Sequence, residues 1–239
     1  MGLYSRGLSF IFLKKGDSKF FSITVREDSK DNFSVKIKDG DKSSESNIDM
    51  LGLLQIIKGN SELAFVNKYL TNEQRYIFSN LVSGFDGTTI TDVGCGRADL
   101  YDHLNVTTGV ISYNGIDHNP SMTQLAKQRY NIDCITDAFE NSEIPEAKWI
   151  VACSLFTQRR CETEDADLVK LFEDIDKMYT AADSVVAFNL LSPINNNIVE
   201  GFFYAHPGLI LDMLIEKYKN VSIRHNYSEF LYTVTIYKF

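Results

Sequence analysis

The sequence predicts a doubly wound α/β fold, with a mostly parallel sheet, a C-terminal antiparallel hairpin and a small β-rich N-terminal appendage. Three observations predict it. From residue 88 onward, short apolar runs alternate with helical patterns, as in parallel strands joined by helical crossovers. At Thr91-Asp-Val-Gly-Cys-Gly-Arg-Ala-Asp-Leu100 a strand runs into a glycine-rich turn and then a helix start. Residues 8–38 instead carry three runs rich in Phe, Ile and Val, separated by turn chemistry.

In chain order, Leu8–Leu13, Phe20–Arg26 and Phe33–Lys38 read as a three-stranded meander. Phe33, Val35 and Ile37 alternate as in a half-buried strand. The polar stretch Asp39–Asn47 reads as a loop or linker, and Ile48–Ile57 as a short helix. Thr71-Asn-Glu-Gln74 has capping-box spacing and starts a helix that ends near Ser83-Gly84. The crossover region follows, with strands at Thr89–Val93, Ile111–Ile116, Asp133–Thr136, Trp149–Cys153 and Ser184–Asn189. Its helices lie near Leu100–Leu104, Pro120–Tyr130, Ala166–Tyr179 and Pro207–Tyr218. Leu209, Ile210, Met213 and Leu214 recur at helical spacing and read as core. Val221–Arg224 and Leu231–Tyr237 end the chain as an antiparallel hairpin at the sheet edge. The domain boundary is expected near residue 60, with the appendage over 1–60 and the main domain over 61–239.

Composition narrows the function. With 44% hydrophobic and 23% charged residues, the chain is globular and long enough to bury a sizeable core. The net charge of −8 is uneven: residues 1–70 carry +2 and residues 71–239 carry −10. An acidic body repels a phosphate backbone, so nucleic acid is disfavoured as a partner. Cys95, Cys134, Cys153 and Cys161 show neither Cys-x-x-Cys nor zinc spacing. They read as free thiols of a reducing cytoplasm, and no metal is expected. Leu8–Leu13, followed by Lys14 and Lys15, is too short for a signal-peptide core and wrongly flanked. The residues after Gly2 miss the myristoylation pattern, and no run approaches a membrane span.

The glycine turn carries the chemistry. Gly94 and Gly96 permit tight backbone geometry and close approach of a ligand at a strand's carboxyl end. Tyr113-Asn-Gly-Ile-Asp117 supplies an acid where such folds bind a ribose. A dinucleotide site would want Gly or Ala where Asp99 stands, since Asp99 would repel a pyrophosphate. Asp92 suits the cationic amino group of a methionine moiety.

On these residues the chain resembles the class I S-adenosylmethionine-dependent methyltransferases, whose sheet is Rossmann-like. Asp92-Val-Gly-Cys-Gly96 is similar to that family's first motif, and Gly115-Ile-Asp-His-Asn-Pro-Ser-Met122 to the segment after it. Trp149 to Phe156 resembles its fourth strand. The segments Phe203–Pro207 and Ile223–Tyr227 resemble a bacterial and phage subgroup of unknown substrate, so the likeness covers roughly residues 65–239. Ala98 departs from the pattern, standing where the family often has a third glycine.

The resemblance implies S-adenosylmethionine as cofactor. Gly94, Cys95 and Gly96 would line its methionine and sugar, Asp92 would position the amino group, and Asp117 with His118 would meet the ribose. Asp137, Ala138 and Phe139 would receive the adenine, and Ser154 would close the site from the fourth strand. His118 also reads as a solvated helix-start residue. The acceptor pocket is expected at Ser154, Phe156, Asn189, Ser192, Tyr204, Arg224, His225 and Tyr227. Within it His225 stands as a base, Arg224 as a clamp for an anionic group, and Tyr227 beside them. Arg159 and Arg160 read as an anion contact or a solvated loop. Cys153 lacks the preceding proline of cytosine-C5 enzymes, and no Asn-Pro-Pro-Tyr or Asp-Pro-Pro-Tyr segment occurs. The expected activity is methyl transfer to a small-molecule or protein acceptor. The competing expectation is a catalytically silent domain serving as a binding or assembly component, viral structural proteins included, with residues 1–60 as the docking element.

Overall fold

The computed structural model describes residues 7–13, 20–29, 32–39, 42–49, 72–108, 112–194 and 198–239. The chain divides into two compact units, Met1–Leu70 and Thr71–Phe239.

The first unit is a four-stranded antiparallel meander of β1 (Gly7–Leu13), β2 (Phe20–Ser29), β3 (Asn32–Asp39) and β4 (Lys42–Asp49), in that spatial order. It corrects the expected three-stranded meander, because the polar stretch read as a linker is β4. Its register against β3 runs from Asp39↔Lys42 to Asn32↔Asp49. Main-chain hydrogen bonds make that strand, so a composition of Ser, Lys, Glu and Asn does not preclude it. Ile48 and Asp49 belong to β4. The rest of the short helix expected there lies outside the described residues.

The second unit begins with α1 (Asn72–Leu81) and ends with a hairpin. Between them run β5 (Thr89–Val93), α2 (Asp99–Thr107), β6 (Ser112–Asp117), α3 (Pro120–Tyr130), β7 (Ile135–Thr136), β8 (Ala147–Ala152), α4 (Glu164–Ala181), β9 (Ala182–Leu191) and α5 (Pro207–Tyr218). The hairpin is β10 (Val221–Arg224) and β11 (Leu231–Tyr237). The sheet order is β10-β11-β9-β8-β5-β6-β7. β5 through β9 pair in parallel, whereas β11 pairs antiparallel with both β9 and β10. The hairpin forms one edge of the sheet, with β11 against β9 and β10 outermost.

Local chemistry sets the helix ends. Asn119 caps α3 by accepting from the Ser121 amide at 3.0 Å, with Pro120 in the first turn and Asn131 left-handed at the other end. Thr163 caps α4 by accepting from Ala166 N at 3.2 Å, and Glu164, Asp165 and Asp167 sit favourably against the helix dipole. His206 caps α5 through Nδ1, which accepts from Gly208 N at 3.2 Å ahead of Pro207.

The main core lies on the sheet face covered by α4 and α5. There Leu171, Ile175, Met178, Ile210 and Leu214 pack on Val186, Phe188, Val234 and Ile236, all fully buried. The opposite face is covered in part by α1, which meets β9 and β11. Since side chains alternate along a strand, this division decides which residues reach the site. Among the described residues no helix is long and apolar enough to cross a membrane.

Candidate functional site

From β5 the chain winds outward through β6 to β7, then crosses back to β8 and β9. The crevice at the carboxyl ends of β5 and β8 is therefore the topological switch point, where open α/β sheets bind ligands. Two turns form its walls. After β5, Gly94 and Gly96 adopt φ of 73° and 54°. After β8, Ser154 stands in the left-handed region at φ 60°, a conformation that costs an L-residue roughly 1–2 kcal/mol. The turns approach closely: a Cβ on Gly94 would lie 3.0 Å from Leu155 Cδ1. A Cβ on Gly96 would meet nothing within 4 Å, so the turn opens there into free space.

Asp117 organises the glycine turn. Its Oδ2 accepts from Gly96 N at 2.8 Å and its Oδ1 from Asn119 N at 2.8 Å. The Gly94 and Cys95 amides donate to Ile116 O at 2.8 and 3.0 Å. Each carboxylate oxygen of Asp117 retains acceptor capacity for a ligand hydroxyl. His118 is exposed, with Nδ1 3.8 Å from Asp117 Oδ1.

Asp92 is buried at 2% exposure; Tyr113 Oη donates to its Oδ2 at 2.7 Å, while Oδ1 has no partner. Burial away from water raises its pKa to about 7, against the Tyr113 hydrogen bond, with the Asp117 and Asp99 charges adding to the rise. Sequence reasoning missed Tyr113, although its place two residues before Gly115 puts it on the same sheet face as Asp92. Cys95 and Cys134 share the space left by Gly115, whose Cβ would lie 2.8 and 2.7 Å from their sulfurs. The contact with Cys134, then burial, pushes the Cys95 thiol up.

Asp99 does not act as the free anion assumed above. Arg97 Nε binds its Oδ2 at 2.7 Å and Arg129 Nη1 its Oδ1 at 3.0 Å. Its charge is thus compensated, and repulsion of a pyrophosphate by Asp99 is no longer an argument. Ala98 is fully buried at φ 61°, a left-handed position that glycine would occupy at lower cost.

Asp137 lies at the end of β7, exposed, with its amide on Asp117 O at 3.2 Å and its Oδ1 accepting from Ala138 N at 2.7 Å. Phe139 departs from expectation. It is buried in the α4-face core, with the Lys177 ammonium 5.0 Å from its ring centroid, which leaves Asp137 and Ala138 at the crevice mouth. Phe156 likewise packs inward, edge-on to Phe188 at 5.7 Å, and does not reach a pocket.

A neutral polar row continues the crevice across the α1 face. Asn189, fully buried, accepts from Ser154 N through Oδ1 at 2.6 Å and donates to Cys153 Sγ at 3.7 Å. Thr233 stands opposite Asn189 in register, and its Oγ1 lies 2.9 Å from Tyr227 Oη. Burial pushes the Cys153 thiol up to about 12 and raises the Tyr227 phenol, so both are uncharged near neutrality. Ser192 is buried and donates its amide to Phe230 O at 2.8 Å; the Tyr204 hydroxyl accepts from Val199 N at 3.1 Å.

The expected cluster of Arg224, His225 and Tyr227 is divided. Tyr227 joins the polar row, and Arg224 Nη1 reaches Asn80 Oδ1 on α1 at 3.4 Å. His225 packs edge-on to Tyr232, on the opposite face, at 5.7 Å, with Nε2 buried and unpartnered. Strand alternation sends neighbouring residues to opposite faces. Arg159 and Arg160 are tied down as well: Arg159 Nε binds buried Asp167 at 3.2 Å and Arg160 Nη1 binds buried Asp174 at 2.5 Å.

Asn189→Ala would leave Ser154 N without a partner beside a left-handed residue. We expect a loss of roughly 1–3 kcal/mol, measured by urea unfolding, with Asn189→Asp recovering part of it; an unchanged midpoint for the alanine variant would show that Asn189 does not hold the turn.

No family model matches the chain. A Mycobacterium tuberculosis protein named as a candidate methyltransferase is 26% identical over 162 residues, covering 66% of this chain and 98% of that protein. The structure of human N-acetylserotonin methyltransferase with S-adenosylmethionine superposes with a TM-score of 0.52 at 15% identity, over 70% of this chain and 52% of that one. The chain thus spans about half the length of the human protein. A S-adenosylmethionine-dependent methyltransferase from Archaeoglobus fulgidus superposes with a TM-score of 0.52 at 14% identity, over 80% of this chain and all of that one. The fold is thus that of class I S-adenosylmethionine-dependent methyltransferases, and the sequence is similar to a protein named as a candidate methyltransferase.

Proposed function

We propose that the chain transfers a methyl group from S-adenosylmethionine to a small-molecule or protein acceptor, with residues 61–239 as the catalytic domain and 1–60 as a docking appendage. The observation that carries the reading is the crevice at the β5–β8 switch point, where an open Gly96 turn faces a carboxylate already held by two backbone amides. The residues present fit the cofactor. The unpartnered Asp92 Oδ1 suits the cationic methionine end, Asp117 suits the ribose hydroxyls, and Asp137 with Ala138 suits the adenine edge.

S-adenosylmethionine supplies a methyl group on a cationic sulfur, open to direct displacement by a nucleophile. What remains for the protein is alignment and exclusion of water. Gly94 and Leu155 set the width of the crevice, and Asn189 fixes Ser154 at its far wall. Tyr227, neutral and half-buried, offers the acceptor a hydrogen bond from the β11 side.

Calorimetric titration with S-adenosylmethionine and S-adenosylhomocysteine tests the reading. Asp117→Asn keeps the side-chain size but replaces one acceptor oxygen with a donor. Affinity for both ligands should fall at least about tenfold, the cost of roughly one charged hydrogen bond. Failure of the folded wild-type chain to bind either ligand would sink the proposal.

A further inference from the structure

The acceptor side of the crevice has a composition of its own. Ser192 N bonds Phe230 O, Phe203 N bonds Thr157 O, and Arg159 N bonds Gly201 O. These links stitch the segments after β8 and β9 to the β10–β11 turn, around the polar row. Tyr76 on α1 packs edge-on to Tyr227 at 6.2 Å and joins the same rim. Six of the twelve exposed large hydrophobic side chains among the described residues fall here: Tyr76, Ile194, Ile198, Val199, Phe202 and Phe230. Water-facing apolar side chains gathered around a crevice mark a binding surface more strongly than scattered ones do.

The charges point the same way. Arg159 and Arg160 are engaged by the buried carboxylates of Asp167 and Asp174, while Arg224 reaches the neutral Asn80 on α1. Two acids, Glu200 and Glu229, stand exposed on the rim. An anionic acceptor would enter a rim whose described residues are apolar or acidic. The polar groups at its floor, Ser154 and Tyr227, are hydroxyls that can donate to or accept from another neutral hydroxyl.

Resting on the methyltransferase reading, we propose that the acceptor is an uncharged, largely apolar small molecule that presents a hydroxyl to Ser154 and Tyr227 beneath the rim of Ile194, Ile198, Phe202 and Phe230. In the transfer the acceptor oxygen forms a bond to the methyl carbon, the carbon–sulfur bond breaks with its electrons going to sulfur, and the hydroxyl proton leaves to solvent.

The test uses the full chain saturated with S-adenosylhomocysteine and titrated with 2-naphthol and 2-naphthoate. The naphthol should bind at least tenfold tighter than the naphthoate. Phe230→Asp and Ile198→Asp, both exposed positions with little risk to folding, should each weaken the naphthol at least tenfold and leave the S-adenosylhomocysteine affinity unchanged. Equal or tighter binding of the naphthoate, no naphthol binding by a chain that does bind S-adenosylhomocysteine, or insensitivity to both aspartates would overturn the acceptor assignment and leave the cofactor reading standing. Loss of S-adenosylhomocysteine binding in the wild type would instead overturn the cofactor reading, and the acceptor assignment with it.

Discussion

Between about pH 4 and pH 7, Asp92 is expected to withdraw stability from the ligand-free protein as the pH rises. Its carboxyl is buried and its folded pKa is raised to about 7 from 3.8. The folded state therefore holds a proton that the unfolded state has released throughout that window. The contribution is fully present below the unfolded pKa, falls progressively as pH climbs to about 7, and is flat above it. A shift of that size corresponds to at most about 4 kcal/mol. Asp86, whose carboxyl the hydrogen bond from Lys148 holds below its ordinary value, acts in the opposite sense in acid, so the wild-type profile alone is a sum. Asp92→Asn isolates the effect. The amide keeps an acceptor for Tyr113 Oη and carries no charge at any pH. The variant should match the wild type near pH 4 and exceed it in Tm by roughly 10 °C at pH 8. Parallel Tm profiles from pH 4 to pH 8 would show that Asp92 does not titrate with folding. The same residue links stability to function. If the cationic end of the cofactor stabilises ionised Asp92, affinity for S-adenosylmethionine rises through the same window in the wild type and not in Asp92→Asn.

Much of this architecture was legible in the residues, and for identifiable reasons. Pro120–Tyr130, Pro207–Tyr218, Thr89–Val93, Val221–Arg224 and Leu231–Tyr237 match the observed elements end to end. Proline starts fix the two helices, and apolar runs bounded by polar turns fix the strands. The strand β4 was not legible, because its apolar content is low and its pairing is made by main chain; the Gly-Asp dipeptide in the sequence just before it was the available signal. In the site, spacing alone located Gly94, Gly96 and Asp117. It could not show that Asp99 is compensated by Arg129, thirty residues away, or that Phe139 and Phe156 turn to the α4 face. Those are consequences of helix packing on a sheet, which short-range pattern does not encode. The separation of Arg224 from His225 was within reach of the two-residue strand period. Asn189 was read as a pocket residue, whereas its role in holding the Ser154 turn depends on a contact 35 positions apart.

The two glycines of the β5 turn should respond differently to the same substitution, and the difference reports where the cofactor lies. Both have positive φ, so alanine at either costs roughly 1–2 kcal/mol in backbone strain. At Gly94 the new methyl group would also sit 3.0 Å from Leu155 Cδ1. Displacing that side chain adds overpacking of about 1–3 kcal/mol. At Gly96 the methyl group meets nothing within 4 Å, and no further loss of stability is expected. If the open space beside Gly96 is the cofactor's, the added methyl group competes with it directly. Overpacking of the same size then appears in binding, weakening S-adenosylmethionine roughly thirtyfold. Gly96→Ala should therefore lose affinity out of proportion to its stability, whereas Gly94→Ala should lose substantially in both. Thermal unfolding and calorimetric titration of the two variants side by side give the comparison. Should Gly96→Ala bind S-adenosylmethionine as tightly as the wild type, the cofactor does not pack against this turn, and the free space beside Gly96 needs another explanation.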